Sequence, residues 1–164
     1  MRGMKADPQP QHAWLTRLVG QWTYEGEGAC ADGETPSRFS GEETVRALGD
    51  IWVIGEGRGE IPGGGTATTL LTLGYDPQKA SFVGTWVGSM MTHLWVYHRG
   101  TLDAAGKVLT LESEGPDMLG GTGTANYRDV VEIESDGERL MRAFAQTPDG
   151  EWRPLMTARY RRIG

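Results

Sequence analysis

From Gln21 to the C-terminus, apolar residues return at every second position, and the breaks between these segments are short and rich in turn residues. A period of two places alternate side chains on opposite faces of a strand. The expected strands run 20–29, 37–47, 51–60, 66–75, 80–88, 92–102, 108–114, 123–134, 139–147 and 151–161. The breaks carry Leu48-Gly49-Asp50, Pro62-Gly63-Gly64-Gly65, Asp76-Pro77-Gln78-Lys79, Asp136-Gly137 and Pro148-Asp149-Gly150, all turn chemistry. No helical pattern separates the strands. This order predicts an all-β chain, an antiparallel meander closed into an up-and-down barrel, because closure removes the exposed edges of an open sheet. A sandwich is the alternative.

A helical period occurs once, before the strands. Trp14, Leu15, Leu18 and Val19 form the stripe of one helix face starting near Pro10, and Gly20 supplies the stop. Residues 1–9 are expected to be a flexible N-terminus and residues 10–164 one domain, a length that buries a core without staples.

Composition removes several function classes. The 25 glycines are about twice the usual share of roughly 7%, yet show no three-residue period, so collagen is out. A net charge of −6 without a basic stripe argues against a nucleic-acid partner. Arg159, Arg161 and Arg162 read as the solvated face of the last strand. The single cysteine, Cys30, permits no internal disulfide and suits a reducing compartment. Met1–Pro10 lacks a signal-peptide core, and no apolar run reaches the roughly 18 residues of a membrane helix. The expected location is the cytoplasm, without a membrane partner.

Two turns set registers. With Asp76–Lys79 as a four-residue loop, Tyr75 faces Ala80, Leu73 faces Phe82 and Leu71 faces Gly84; with Gly88–Met91 as the next, Trp86 faces His93, Gly84 faces Trp95 and Phe82 faces Tyr97. Leu71, Leu73, Tyr75, Phe82, Trp86, His93, Trp95 and Tyr97 then share one face, assigned to the interior. The other carries Leu70, Thr72, Val83, Thr85, Val87, Leu94 and Val96, which reads as outer surface, a homodimer patch or the seat of the helix.

Gly20-Gln21-Trp22, just after the helix, resembles the Gly-x-Trp signature of lipocalins and related calycin barrels. The resemblance implies a tryptophan at the closed end with a last-strand arginine over it, matched here by Arg159 or Arg161. The segments Leu18–Trp22, Ala67–Asp76, Phe82–Trp86, Gly88–Trp95 and Asn126–Asp129 are similar to the bacterial domain-of-unknown-function family 1579, which implies a lipocalin-like shape and no known activity. Glu25-Gly26-Glu27-Gly28 resembles the opening of nitrobindin-type haem barrels. Their haem is held by a histidine near the start of the last strand, and Trp152–Arg159 contains none.

Among the chemically able residues, His93 is either a polar handle or axial ligand, or a core histidine satisfied by a neighbour. His98 points to the opposite face and His12 lies on the helix, so no zinc spacing exists and no metal is expected. Of Glu42 and Glu43, adjacent in a strand, one should point inward; Glu56, Glu112 and Glu114 are further candidates, and an inward carboxylate usually pairs with an inward arginine or hydroxyl and only sometimes acts as a general acid or base. Gly55–Gly59 and Gly63–Gly65 do not match a phosphate-binding loop, and no Gly-x-Ser-x-Gly elbow exists. No catalytic residue and no cofactor are assigned.

The expected function is binding of a small hydrophobic ligand inside the barrel, lined by Trp22, Tyr24, Phe82, Trp86, His93, Trp95, Tyr97, Tyr127 and Met156. Tyr24 and Met156 enter by alternation with Trp22 and Trp152. The alternatives are a haem-binding or enzymatic barrel using His93, and a filled barrel working as an interaction module through its outer face.

Overall fold

The computed structural model describes residues 4–28, 37–61 and 64–164; Cys30 and the Pro62-Gly63 half of one turn lie outside the described residues. A short helix, α1 (Pro10–Leu15), runs into a 3-10 turn at Thr16–Leu18. Eleven strands follow: β1 (Gly20–Gly28), β2 (Ser37–Leu48), β3 (Trp52–Glu60), β4 (Thr66–Asp76), β5 (Ser81–Gly88), β6 (Trp95–Tyr97), β7 (Arg99–Leu102), β8 (Val108–Pro116), β9 (Thr124–Ser135), β10 (Glu138–Gln146) and β11 (Trp152–Arg162). They form one antiparallel sheet in the order β6-β5-β4-β3-β2-β1-β11-β10-β9-β8-β7. The expected meander is therefore present, and the first and last strands pair along most of their length.

The two ends of that order meet in one stretch of chain. Residues 92–102, expected as a single strand, join the sheet only from Trp95 and are split at His98: β6 pairs with β5, and β7 pairs with β8. Opposite β7 a side chain completes the circle, with Gly100 N donating to Ser81 Oγ at 2.9 Å. A Cβ on Gly100 would meet Phe82 Cβ at 2.6 Å, so only glycine lets β7 come this close to β5. The result is a nearly closed barrel.

Both hairpin registers differ from the sequence expectation by two residues. Tyr75 pairs with Phe82 and Leu71 with Trp86; Trp86 pairs with Trp95 and Gly84 with Tyr97. The first loop is Pro77–Ala80, not Asp76–Lys79, because Asp76 pairs with Ser81. A slip of two keeps every side chain on its face, so the inner and outer strand positions stand as expected.

Helix α1 covers one end of the barrel and not its outer wall. Gln9 N donates to His12 Nδ1 at 2.8 Å, and His12 Nε2 lies 2.9 Å from Tyr75 O, so both imidazole nitrogens are satisfied. Trp14 donates its indole N–H to Gly106 O at 2.7 Å. Beneath the helix, Leu15, Leu18, Trp22, Val53, Leu73, Phe82, Leu109, Val131 and Ile133 form the buried core.

The arginine over Trp22 is Arg162, not Arg159 or Arg161. Trp22 and Arg162 are cross-strand partners and share a face, and the guanidinium lies 4.3 Å from the indole centroid. Arg159 points outward to Glu134 and Glu138. Arg162 also donates to the carbonyls of Arg17 (2.9 Å), Asp136 (2.8 Å) and Val19, and a Cβ on Gly20 would collide with it. Gly-x-Trp thus encodes a close approach: the glycine admits the arginine and the tryptophan packs against it. Replacing Arg162 by alanine removes three bonds to carbonyls, those to Arg17 and Asp136 exposed and that to Val19 part-buried, and should cost about 1–3 kcal/mol in urea unfolding; an unchanged midpoint would show that the closed end does not need this tie.

Candidate functional site

The inner face is traced by cross-strand pairs. One row runs Tyr24, Tyr160, Arg139 and Ile133 across β1, β11, β10 and β9; another runs Met156, Ala143, Asp129 and Leu111 across β11, β10, β9 and β8. Near the helix the interior is filled. Further along the strands, inward side chains from several walls keep part of their surface accessible: Tyr24, Leu71, Trp86, Asp129, Met141, Met156 and Tyr160 are only half-buried. They mark the space on the inner face that solvent still reaches, with Leu71, Trp86, Met141 and Tyr160 packed against the buried core.

That space has a polar layer. Glu43 points inward from β2 and forms an ion pair with Arg139 of β10, both nearly buried. Arg139 stacks 4.0 Å over the Tyr160 ring and 4.8 Å from Trp22, while Tyr24 lies against Tyr160 with ring centroids 4.8 Å apart. On the other side, Tyr97 donates its hydroxyl to Asp129 Oδ2 at 2.5 Å. Burial pushes the Asp129 carboxyl up to about 6, against the pull of the Tyr97 hydrogen bond. Burial, and then the charge of Asp129, push the Tyr97 phenol well above its ordinary range. Tyr160 is raised by burial and the nearby Glu43 carboxylate, and Tyr24 by the same two causes.

The nine expected lining residues divide by position. Tyr24, Trp86 and Met156 face inward and stay partly accessible, whereas Tyr97 faces inward and is buried in the core. Trp22 and Phe82 are packed into the closed end, Phe82 between the rings of Trp14 and Tyr75. Trp95 and Tyr127 meet edge to face at 5.0 Å in a separate cluster with Ala145, further from the helix. The Tyr127 hydroxyl is held between Met118 N and Pro116 O. His93 sits beside this cluster, its ring 4.6 Å from Trp95. Its Nε2 lies 3.2 Å from Glu114 O, a backbone carbonyl and not a carboxylate.

Met156 faces inward, but not through alternation with Trp152. A β-bulge between Ala143 and Phe144 breaks the β10–β11 register. Trp152 consequently lies on the outer face, 4.0 Å beneath the Arg128 guanidinium. Asp129, Arg139, Tyr160 and Met141 belong to the interior and were not singled out from sequence. The available signal was a charge inside an apolar alternation: Tyr127, Asp129, Val131, Ile133 on β9, and Arg139, Met141, Ala143 on β10.

The outer wall offers different chemistry. Arg128–Glu112, Arg142–Glu132 and Arg159–Glu134 pair on its surface. An open groove of about 360 Å³ crosses β2, β1 and β11, lined largely by Thr23, Glu25, Glu42, Arg159 and Arg161. Its side chains are mostly outward and polar, so it gives a small apolar ligand little contact. Among the described residues no three His, Cys, Asp or Glu side chains gather as metal ligands would, and no helix is long and apolar enough to cross a membrane.

The family model described as protein of unknown function, DUF1579, matches residues 7–162. No curated protein matches the chain by sequence. Among solved structures, Rv2717c from M. tuberculosis is similar with a TM-score of 0.63 at 15% identity, covering 96% of this chain and 100% of that one. The fluorescence-activating barrel EF1p2_mFAP2b, bound to DFHBI, is a looser likeness, with a TM-score of 0.49 at 11% identity over 93% of this chain and 98% of that one. At 15% identity the likeness to Rv2717c shows the fold alone.

Proposed function

The chain belongs to the DUF1579 family, which supplies a barrel and no activity, and from that premise we propose that it binds a small, largely apolar molecule inside the barrel. One observation carries the reading: inward side chains on β1, β4, β5, β9, β10 and β11 remain partly accessible in the same interior. The walls there are Leu71, Trp86, Met141 and Met156, with a polar layer at Asp129, Tyr24 and Tyr160. Apolar walls with a few oriented polar groups are the usual make-up of a small-molecule pocket.

Ala143 decides how much room exists. It stands directly opposite Asp129 on β10 and opposite Met156 on β11, and it is the smallest side chain in that row. Native mass spectrometry of freshly purified protein should show excess mass that leaves on denaturation, and Ala143→Phe should purify as a folded barrel without it. A wild-type mass equal to the bare chain, with no visible absorbance, would overturn the reading. A Soret band would instead give the pocket to haem.

A second reading has its own support. On the outer wall Leu70 pairs with Val87, and Thr72 with Thr85 and then Val96. Leu70 is 40% exposed, Val87 38% and Val96 48%. An unoccupied barrel that runs as a dimer would assign the activity to this face.

A further inference from the structure

Resting on that reading of the interior, we infer that the ligand carries a basic nitrogen and that Asp129 holds it as an ammonium ion. Arg139 and Glu43 neutralise one another in a buried ion pair. Arg139 Nε is a buried donor without a partner among the described residues, but the rings of Tyr160 and Trp22 stack on the guanidinium and shield it from an incoming anion. Among the described residues, Asp129 forms no ion pair.

The geometry around Asp129 favours a donor on the ligand. Tyr97 gives its proton to Oδ2. Tyr97 is almost fully covered, so it orients the carboxylate and offers a ligand no second donor. No donor among the described residues reaches Oδ1. The flanking inward residues on the neighbouring strands are Leu111, which is apolar, and Ala143, which is too short to cover the carboxylate. Asp129 is enclosed by the barrel yet keeps part of its surface open to the inner space. An oxygen that is desolvated, oriented and short of a donor binds a cation strongly, because water competes poorly there. Burial pushes the carboxyl up to about 6, still low enough to leave it ionised at pH 7.5. A carboxylic acid or phosphate would place like charges together in the same enclosed space and is excluded by the same geometry. The expected ligand is an aromatic or aliphatic amine, its body against Leu71, Trp86 and Met156.

Three probes of one shape separate the possibilities: 2-naphthylmethylamine, 2-naphthylmethanol and 2-naphthoic acid, titrated calorimetrically into the full chain at pH 7.5. The amine should bind at least tenfold more tightly than the alcohol, and the acid should give no binding heat. In Asp129→Asn the amine should lose its tenfold advantage and bind as the alcohol does in the same variant. Acid binding equal to amine binding overturns the inference. So does an amine preference that survives Asp129→Asn, since attraction to the acidic surface would then explain it. If all three bind alike and Ala143→Phe abolishes them, the pocket stands and the ammonium site falls. Silence from all three, with a bare native mass, removes the pocket and the inference together.

Discussion

Replacing Arg139 by methionine should destabilise the barrel by about 3–5 kcal/mol, the usual result of stripping one partner from a buried ion pair. The size comes from what remains. Glu43 has a side chain only 12% exposed, and its partner is 7% exposed, so neither has water as a substitute. Methionine retains much of the length that packs between Trp22 and Tyr160, which confines the loss mainly to charge. The double change Glu43→Gln with Arg139→Met leaves no buried charge and should recover at least half of the stability. Urea unfolding of the three proteins checks this. If the single variant melts with the wild type, the pair is not an organising contact of the interior.

Asp129→Asn should act in the opposite direction and stabilise the protein at neutral pH. The carboxyl is pushed from 3.8 to about 6 in the fold, so the folded state holds this proton more tightly than the unfolded chain. Its favourable contribution is fully present below about 3.8 and is lost as pH rises through about 6. Above that the ionised group costs the fold at most about 3 kcal/mol, taking roughly 1.4 kcal/mol per pH unit. Asparagine keeps an acceptor for Tyr97 and carries no charge. The variant should gain up to roughly 3 kcal/mol at pH 8 and close to nothing at pH 4. A stability difference that is flat between those values would show that Asp129 is not buried as an ion.

These two expectations concern residues that sequence reading handled unequally. Glu42 and Glu43 were recognisable as an adjacent pair of which one must turn inward, and Glu43 does, onto an arginine. Which arginine was not legible, because Glu43 and Arg139 are 96 positions apart and meet only when the barrel closes. Asp129 was hidden differently: it ends the run Asn126–Asp129, which resembles a family without assigning chemistry to its members. The strand positions were legible because alternation and turn residues agree, and a two-residue error in loop placement is invisible to a period of two. A bulge is not. It put Trp152 outside and Met156 inside, although both share the parity that alternation reads. The last-strand arginine failed for a related reason: Arg161 and Arg162 are neighbours on opposite faces, and only the pairing of Trp22 with Arg162 chooses between them.

The join between β5 and β7 sets where the wall yields. Elsewhere neighbouring strands are laced by repeating backbone ladders, and loosening one bond leaves its neighbours in place. Here a serine hydroxyl stands in for the ladder, and beyond it His98 N turns away to bond Glu112 O. A cylinder laced this way behaves like a rolled sheet with one buttoned edge. The button lies beside Phe82 at the helix-capped end, so loosening it should disturb the packing under Trp14 before it reaches the Trp95 cluster. How easily this wall parts should then depend on one side-chain bond more than on the ladders of the other strands.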